Sequence, residues 1–442
     1  MRFGTDGVRG VANAELTPEF ALALGRVGAH VLGADQFLIG RDTRRSGSMV
    51  EAALAAGVTS EGVDVELLGV VPTPAVAHIS AADGVAAAMI SASHNPFEDN
   101  GIKLFAPGGT KLSDADQQRI ESLIEELDGD PDSARPSGGS VGTISHSEQS
   151  AISRYEESIL GMLDGRSLEG LKIVLDCANG SNSEIAGEVF RRAGAETLVL
   201  HASPDGRNIN DHCGSTDPAD LQQAVVDESA QLGFAFDGDA DRVMAVDEAG
   251  RLIDGDQMLA VAATDLRSRG LLSADTVVVT VMTNLGFRQG MERAGITVVE
   301  TQVGDRYVLE ALDQQSLSLG GEQSGHIIFR DLASTGDGLR CAVYLADVVG
   351  RASVPLGRRA DELMTRLPQT LINVSLDRRD PDLLERVSAD IDAAAAELGS
   401  SGRVLVRPSG TEPVVRVMVE APTQEAAASV AETLAAAISS AA

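Results

Sequence analysis

Ser93 stands in the run Ile90-Ser-Ala-Ser-His-Asn-Pro-Phe-Glu-Asp-Asn-Gly-Ile-Lys103, a serine on a tight turn with charged groups close by. A serine so placed could carry a covalent intermediate. The apolar run Val85–Ile90 reads as a buried strand. His94-Asn95-Pro96 ends it, because proline removes a backbone donor and biases the residue before it away from helix. Ser93 is therefore expected at a strand-to-loop corner near the surface, with His94 either bracing the turn or meeting a ligand.

A second segment, Phe236-Asp-Gly-Asp-Ala-Asp-Arg242, places Asp237, Asp239 and Asp241 within five residues just after an apolar strand. Such carboxylates repel by about 1 kcal/mol per pair in water and by several times that in a drier cleft. A hard divalent cation relieves the repulsion, and magnesium suits few carboxylates completed by a phosphoryl oxygen. A solvated acidic turn is the alternative. A calcium loop of the EF-hand type fits less well, because its glycine position holds Arg242 and its flanks read as strands. Arg242 is better suited to hold phosphate oxygens that a metal leaves over.

The third segment, Arg407-Pro-Ser-Gly-Thr-Glu-Pro413, lies between two strand-like runs, with Arg416 just beyond. Glycine and two hydroxyls between arginines suit a phosphate cradle, although a plain hairpin turn could hold the same residues. The fourth, Gly321-Glu-Gln-Ser-Gly-His326, sets a carboxylate, an amide, a hydroxyl and an imidazole between glycines. These groups suit sugar hydroxyls, and a structural role for His326 is equally open. The chain has no Gly-x-x-x-x-Gly-Lys-Ser/Thr, Gly-x-Gly-x-x-Gly, His-Glu-x-x-His or Gly-x-Ser-x-Gly motif, which removes support for nucleotide-triphosphate, dinucleotide, zinc-protease and hydrolase-elbow readings.

The elements that must position these loops alternate strand and helix, an α/β pattern. Phe37–Gly40, Ser48–Thr59 and Val63–Leu68 open it, and Ser113 caps a helix running to about Leu127. Asp128–Ser140 reads as a linker. The alternation restarts at Lys172–Asp176 and again near Asp254, and a compact α+β module closes the chain with a helix over Pro381–Leu398, strands Val404–Val406 and Val414–Val419, and an alanine-rich helix. Domains are thus expected over 1–145, 146–253, 254–368 and 369–442. The 442 residues exceed what one core supports.

A net charge of −31 argues against nucleic acid and anionic membrane as partners. No apolar run reaches bilayer length, and Cys177, Cys213 and Cys341 form no paired motif, which fits a reducing cytoplasm. A phosphorylated substrate needs cations gathered locally, and Arg9, Arg41, Arg44, Lys103, Arg242, Arg306, Arg407 and Arg416 are expected to converge.

Taken together and in this order, the four segments resemble the α-D-phosphohexomutase family over essentially the whole chain. The opening Phe3-Gly-Thr-Asp-Gly-Val-Arg-Gly10, the run Ile90–Lys103, Val303-Gly-Asp-Arg-Tyr307 and Glu322-Gln-Ser324 are similar to its branch acting on glucosamine phosphates. The resemblance implies three similar α/β domains and a C-terminal α+β domain around a central cleft. It also implies that Ser93 is the phosphoserine and that Asp237, Asp239 and Asp241, with a phosphate oxygen on Ser93, bind one Mg2+ per chain. Arg9 and Arg242 would then flank the transferring phosphoryl group, and Lys103 would act as general acid or base. His94, Glu322, Ser324 and His326 would meet the sugar, and Arg407, Ser409, Gly410, Thr411 and Arg416 the distal phosphate.

The implied reaction interconverts the 6- and 1-phosphates of glucosamine toward UDP-N-acetylglucosamine, with glucosamine or glucose 1,6-bisphosphate as intermediate or activator. Mannose or glucose specificity, and a non-catalytic phosphosugar-binding role, are the alternatives. A homodimer and activation of Ser93 by a kinase are both compatible with the resemblance.

Overall fold

The computed structural model describes residues 3–4, 7–127, 136–352, 354–378, 380, 382–408 and 413–441. The chain divides into two compact units, Met1–Met282 with Ile296–Asp361, and Thr283–Gly295 with Glu362–Ala442. The first unit holds three sheets built on one plan. In the first sheet, Asp64–Val70, Gln36–Arg41 and Ala86–Ile90 run parallel, and Asp99–Ala106 returns antiparallel beside the last. In the second, Glu196–Leu200, Lys172–Asp176 and Leu232–Phe236 run parallel and Val243–Asp247 returns. In the third, Thr297–Thr301, Thr276–Thr280 and Leu319–Gly321 run parallel and Ile327–Phe329 returns. Three units of one topology thus stand where the sequence showed no visible repeat.

The strands form because their residues suit burial on both faces. Ala86–Ile90, Leu232–Phe236 and Thr276–Thr280 are buried along their whole length, as parallel strands covered by helices must be. Helices are fixed by local caps. Asp254 and Gln257 make a reciprocal capping box for Gly255–Ser268, and Thr17 caps Pro18–Leu32, which ends on left-handed Gly33. Val8–Val11 adds an antiparallel edge to the first sheet, setting Arg9 opposite Gly101 on the strand that carries Lys103. Ile144–His146 pairs with Asp64–Val70 at the other end of that sheet.

In the second unit, Gln369–Ser375 and Arg403–Pro408 flank Val414–Glu420 antiparallel, and Gln424–Ala441 packs on this sheet. The expected helix Pro381–Leu398 is broken into Leu383–Arg386 and Ser388–Leu398. Val387 is buried in the core at the break, and the Ser388 hydroxyl donates to the Glu385 carbonyl, a local bond that competes with helix continuation.

Helices Pro18–Leu32 and Gly47–Ser60 meet through glycines. A Cβ on Gly57 would stand 2.1 Å from the Leu22 carbonyl oxygen, and one on Gly25 would stand 2.3 Å from that of Leu54. Gly57→Ala should therefore separate the helices and destabilise the chain by about 1–3 kcal/mol. Gly139→Ala, with nothing within 4 Å of the added carbon, should stay within about 0.5 kcal/mol. Urea unfolding of the two variants measures both, and equal midpoints would refute the contact argument.

Candidate functional site

Ser93 follows the buried strand Ala86–Ile90, as expected, but it is not near the surface: its exposure is 1%. The reason is the second sheet's loop 237–242, which packs over it. Ser93 adopts φ 53°, a left-handed backbone uncommon for a residue with a side chain. Several groups hold it there. The Ser93 amide donates to Ser91 Oγ at 2.9 Å, and the Ser91 hydroxyl donates to Asp42 Oδ2 at 2.6 Å. Arg44 donates to the carbonyls of Ser93, Asn95, Asp99 and Pro96, and its Nε lies 2.9 Å from Asp42 Oδ2. Asn210, from the second sheet's side, donates to the Ser93 carbonyl at 2.9 Å.

Asp237, Asp239 and Asp241 occupy the tip of the hairpin formed by Leu232–Phe236 and Val243–Asp247. This disposes of the EF-hand reading, since both flanks are strands. All three carboxylates are buried, and each offers an oxygen within 4.8 Å of the others. The Ser93 hydroxyl donates to Asp237 Oδ2 at 2.6 Å. Lys103 bridges Asp239 Oδ2 at 2.8 Å and Asp241 Oδ2 at 3.2 Å, and Thr73 Oγ1 donates to Asp239 Oδ2 at 2.7 Å. Burial first, then Asp239 and Asp241, push the Asp237 carboxyl well above the ordinary carboxylate range. Asp241 Oδ1 is buried with no hydrogen-bond partner among the described residues. An all-oxygen set, crowded with like charge and holding an unsatisfied buried oxygen, fits a hard divalent cation.

Lys103 lies on Asp99–Ala106, opposite Met89, one strand across from the chain leading to Ser93. Arg242 Nη1 lies 3.2 Å from His94 Nδ1, and Ser93 Oγ lies 3.3 Å from the same nitrogen. Burial, reinforced by Arg242 and Arg9, lowers the His94 pKa, so this imidazole stays neutral. His94, Arg242, Lys103, Ser93 and the aspartates therefore share one pocket.

Glu322, Ser324 and His326 lie in the turn between Leu319–Gly321 and Ile327–Phe329. Glu322 Oε1 accepts from the Gly304 amide at 3.1 Å, which ties this turn to the segment 303–307. The Val243 amide donates to the Gly325 carbonyl, so the turn backs onto the aspartate hairpin. The Ser324 hydroxyl and both His326 nitrogens are buried without hydrogen-bond partners among the described residues, and His326 Nε2 lies 3.4 Å from Asp305 Oδ2 and 3.9 Å from Asp241 Oδ2.

In the second unit, Arg407 and Arg416 stand directly opposite each other on paired strands. Burial and the neighbouring Arg416 lower the Arg407 pKa, a like-charge pairing that an anion would relieve. Ser409, Gly410 and Thr411 lie outside the described residues. Of the cations expected to converge, Lys103 and Arg242 lie at the aspartate pocket of the first unit. Arg44 is spent on the serine loop, Arg41 pairs with Glu51, and Arg306 pairs with Asp114 and Glu310.

Sequence reasoning overlooked Asp42, Ser91, Thr73 and Asn210, and counted Arg44 only among the cations expected to converge. The usable signal was a charged triplet, Asp42-Thr43-Arg44, directly after a buried strand, where a charge needs a built-in partner. Burial raises the Asp42 carboxyl, and Arg44 works against that rise. Arg44→Ala should cost about 3–5 kcal/mol, because it leaves Asp42 buried and unpaired. Denaturant unfolding checks this, and a loss below about 1 kcal/mol would show that the serine loop does not depend on the pair.

Comparisons with known proteins agree with this geometry. Four family models, described as phosphoglucomutase/phosphomannomutase alpha/beta/alpha domains I, II and III and C-terminal domain, match residues 1–130, 153–250, 254–367 and 371–437. A phosphoglucosamine mutase of Frankia alni is 51% identical over 450 residues, covering 99% of this chain and 97% of that protein. One from Oceanobacillus iheyensis is 50% identical over 429 residues, covering 96% and 95%. Among solved structures, a phosphoglucomutase/phosphomannomutase family protein from Burkholderia thailandensis superposes with a TM-score of 0.84 at 26% identity, covering 99% of this chain and 97% of that one. With all four domain models matched in order and half the residues shared with full-length relatives, the chain belongs to the phosphoglucomutase/phosphomannomutase family of phosphohexomutases.

Proposed function

We propose that this chain interconverts glucosamine 6-phosphate and glucosamine 1-phosphate through a phosphoserine at Ser93 and a glucosamine 1,6-bisphosphate, in domains bounded near residues 145, 253 and 368. The observation that carries the reading is the contact of Ser93 Oγ with Asp237 Oδ2 at 2.6 Å, in a pocket where Lys103 spans Asp239 and Asp241. The half-identity with phosphoglucosamine mutases supports this hexose over mannose or glucose. The buried, unpaired cysteines fit a reducing cytoplasm.

In the forward transfer, the free hydroxyl of the sugar phosphate attacks phosphorus on phosphoserine 93. The new O–P bond forms as the P–Oγ bond breaks, and the hydroxyl proton ends on Ser93 Oγ. In this reading Lys103 moves that proton, and Arg9 and Arg242 hold the transferring oxygens. Neutral His94 can accept a hydrogen bond from Arg242 or from Ser93, which fixes the guanidinium beside the serine. Glu322, Ser324 and His326 present acceptors and donors to sugar hydroxyls, and Arg407 and Arg416 suit the phosphate that is not reacting. The bisphosphate then turns end for end and returns a phosphoryl group to Ser93. Magnesium held by Asp237, Asp239 and Asp241 supplies positive charge for the transferring oxygens.

Incubation with a hexose 1,6-bisphosphate should add one phosphoryl mass at Ser93, and Ser93→Ala should gain none; an unmodified wild-type chain would leave only a binding protein. Turnover of the glucosamine, mannose and glucose phosphates should favour glucosamine, and a clear preference for another sugar sinks the assignment. Lys103→Met should cut turnover at least a hundredfold if Lys103 moves the proton. Because Lys103 also neutralises two buried carboxylates, that variant should melt lower without magnesium and recover when magnesium is added, with turnover still low. Near-normal turnover would reassign the proton carrier.

A further inference from the structure

Outside the pocket just described, the second sheet carries a different cluster of metal-ligating groups. Asp176, His201 and Cys213 each offer a ligand atom, all within 4.8 Å of one another. Asp176 ends the strand Lys172–Asp176, His201 follows Glu196–Leu200, and Cys213 begins a helical turn at Gly214–Thr216. Their loops are fixed by backbone bonds. The Asp176 carboxylate accepts the amides of Ala178 and Gly214 at 2.9 Å each, and the Asn179 amide donates to the His201 carbonyl at 2.6 Å. Asp176 and Cys213 are fully buried, and the His201 side chain is 26% exposed, which leaves a path from solvent.

The imidazole orientation points to a ligand. His201 Nε2 lies 3.3 Å from Asp220 Oδ2, and the other ring nitrogen, Nδ1, is buried 3.1 Å from Asp176 Oδ1. Without metal, a proton on Nδ1 answers that carboxylate, and a metal ion held with Asp176 and Cys213 would take the proton's place. A carboxylate on the far nitrogen of a metal-bound histidine is the usual outer partner of such a ligand. Tetrahedral zinc separates its N, O and S ligands by about 3.3–3.6 Å, so even the widest pair here closes by no more than about 1.5 Å.

We propose that Asp176, His201 and Cys213 form a second metal site, for a borderline divalent cation of the zinc type, separate from the all-oxygen site at Asp237, Asp239 and Asp241. A thiolate and an imidazole select against magnesium, and the three aspartates select for it. On binding, the Cys213 thiol releases its proton to solvent and a sulfur–metal bond replaces it. One thiolate, one carboxylate and a neutral imidazole then balance a double positive charge. Because the thiol gives up a proton on binding, affinity strengthens as pH rises.

The site would brace the aspartate hairpin from behind. A Cβ on Gly214 would stand 2.5 Å from the Phe236 carbonyl oxygen, and the Ser181 amide donates to the Gly238 carbonyl at 2.8 Å. Occupancy should therefore raise the melting temperature without displacing magnesium.

The test uses the full-length, metal-stripped protein titrated with zinc, and with cobalt(II) as a spectroscopic probe, both in saturating magnesium. One equivalent should bind, with a thiolate-to-cobalt band in the near ultraviolet, and apparent affinity should rise about tenfold per pH unit for the one proton released. Cys213→Ser should abolish the band and weaken binding at least tenfold, whereas Asp239→Asn should leave both intact. His201→Gln, at a partly exposed position, should also weaken binding at least tenfold and serves as the deciding variant if Cys213→Ser fails to fold. Absence of saturable binding in magnesium, survival of the band in Cys213→Ser, undiminished affinity in His201→Gln, or loss of the band in Asp239→Asn would each overturn the site.

Discussion

Three carboxylates held in a dry loop, within 4.8 Å of one another, set the terms for everything around them. At that spacing each charged pair costs about 3 kcal/mol in the effective dielectric of a protein interior. The hairpin that carries them offers few donors, chiefly the Arg242 amide to Asp237 Oδ1 at 3.1 Å. The rest come from the first sheet and its helices: the Ser93 hydroxyl, the Thr73 hydroxyl and the Lys103 ammonium. Charge relief therefore locks the first and second sheets together. The burial of Ser93 is a consequence of that lock.

The repeated topology explains why these groups can meet. In each of the three sheets the candidate loop joins the third parallel strand to the returning antiparallel one, at residues 91–98, 237–242 and 322–326. The carboxyl edge of parallel strands is where α/β sheets place their ligands, because loops there can vary while the strands stay fixed. One scaffold thus presents a buried serine, an acidic cluster and a turn bearing Glu322, Ser324 and His326 from equivalent positions. The loops differ in length and in what their tips carry.

Much of this was legible in the sequence, for stated physical reasons. The strand Lys172–Asp176 was placed to the residue because an apolar, β-branched run bounded by polar residues leaves little choice. The aspartates, Ser93 and Lys103 were visible as motifs, and the structure brings them into one pocket. The supporting residues were not visible, because Thr73, Ser91 and Asn210 are common types whose meaning comes from contacts over long separations, as with Thr73 and Asp239. The structural task of Arg44 was hidden for the same reason. An arginine beside a candidate site looks like a substrate contact until its burial with Asp42 is seen. Local competition for hydrogen bonds at Ser388 likewise broke a helix that periodicity alone continued.

The contact between Ser93 and Asp237 also constrains what a phosphoserine can mean here. The serine hydroxyl is a donor to a carboxylate whose proton affinity is already raised by burial and by two neighbours. Esterification removes that donor and adds about −1.5 to −2 charges at the same spot. Asp237 would then face a second anion with its hydrogen bond gone, a state the pocket tolerates only with added positive charge. A phosphoryl group on Ser93 and a cation at the aspartates would for that reason be coupled ligands, each strengthening the other by the same factor, whichever arrived first. Lys103, which spans the remaining two carboxylates, and Arg242, 3.8 Å from Asp241, are positive groups already in place to be reassigned when that happens.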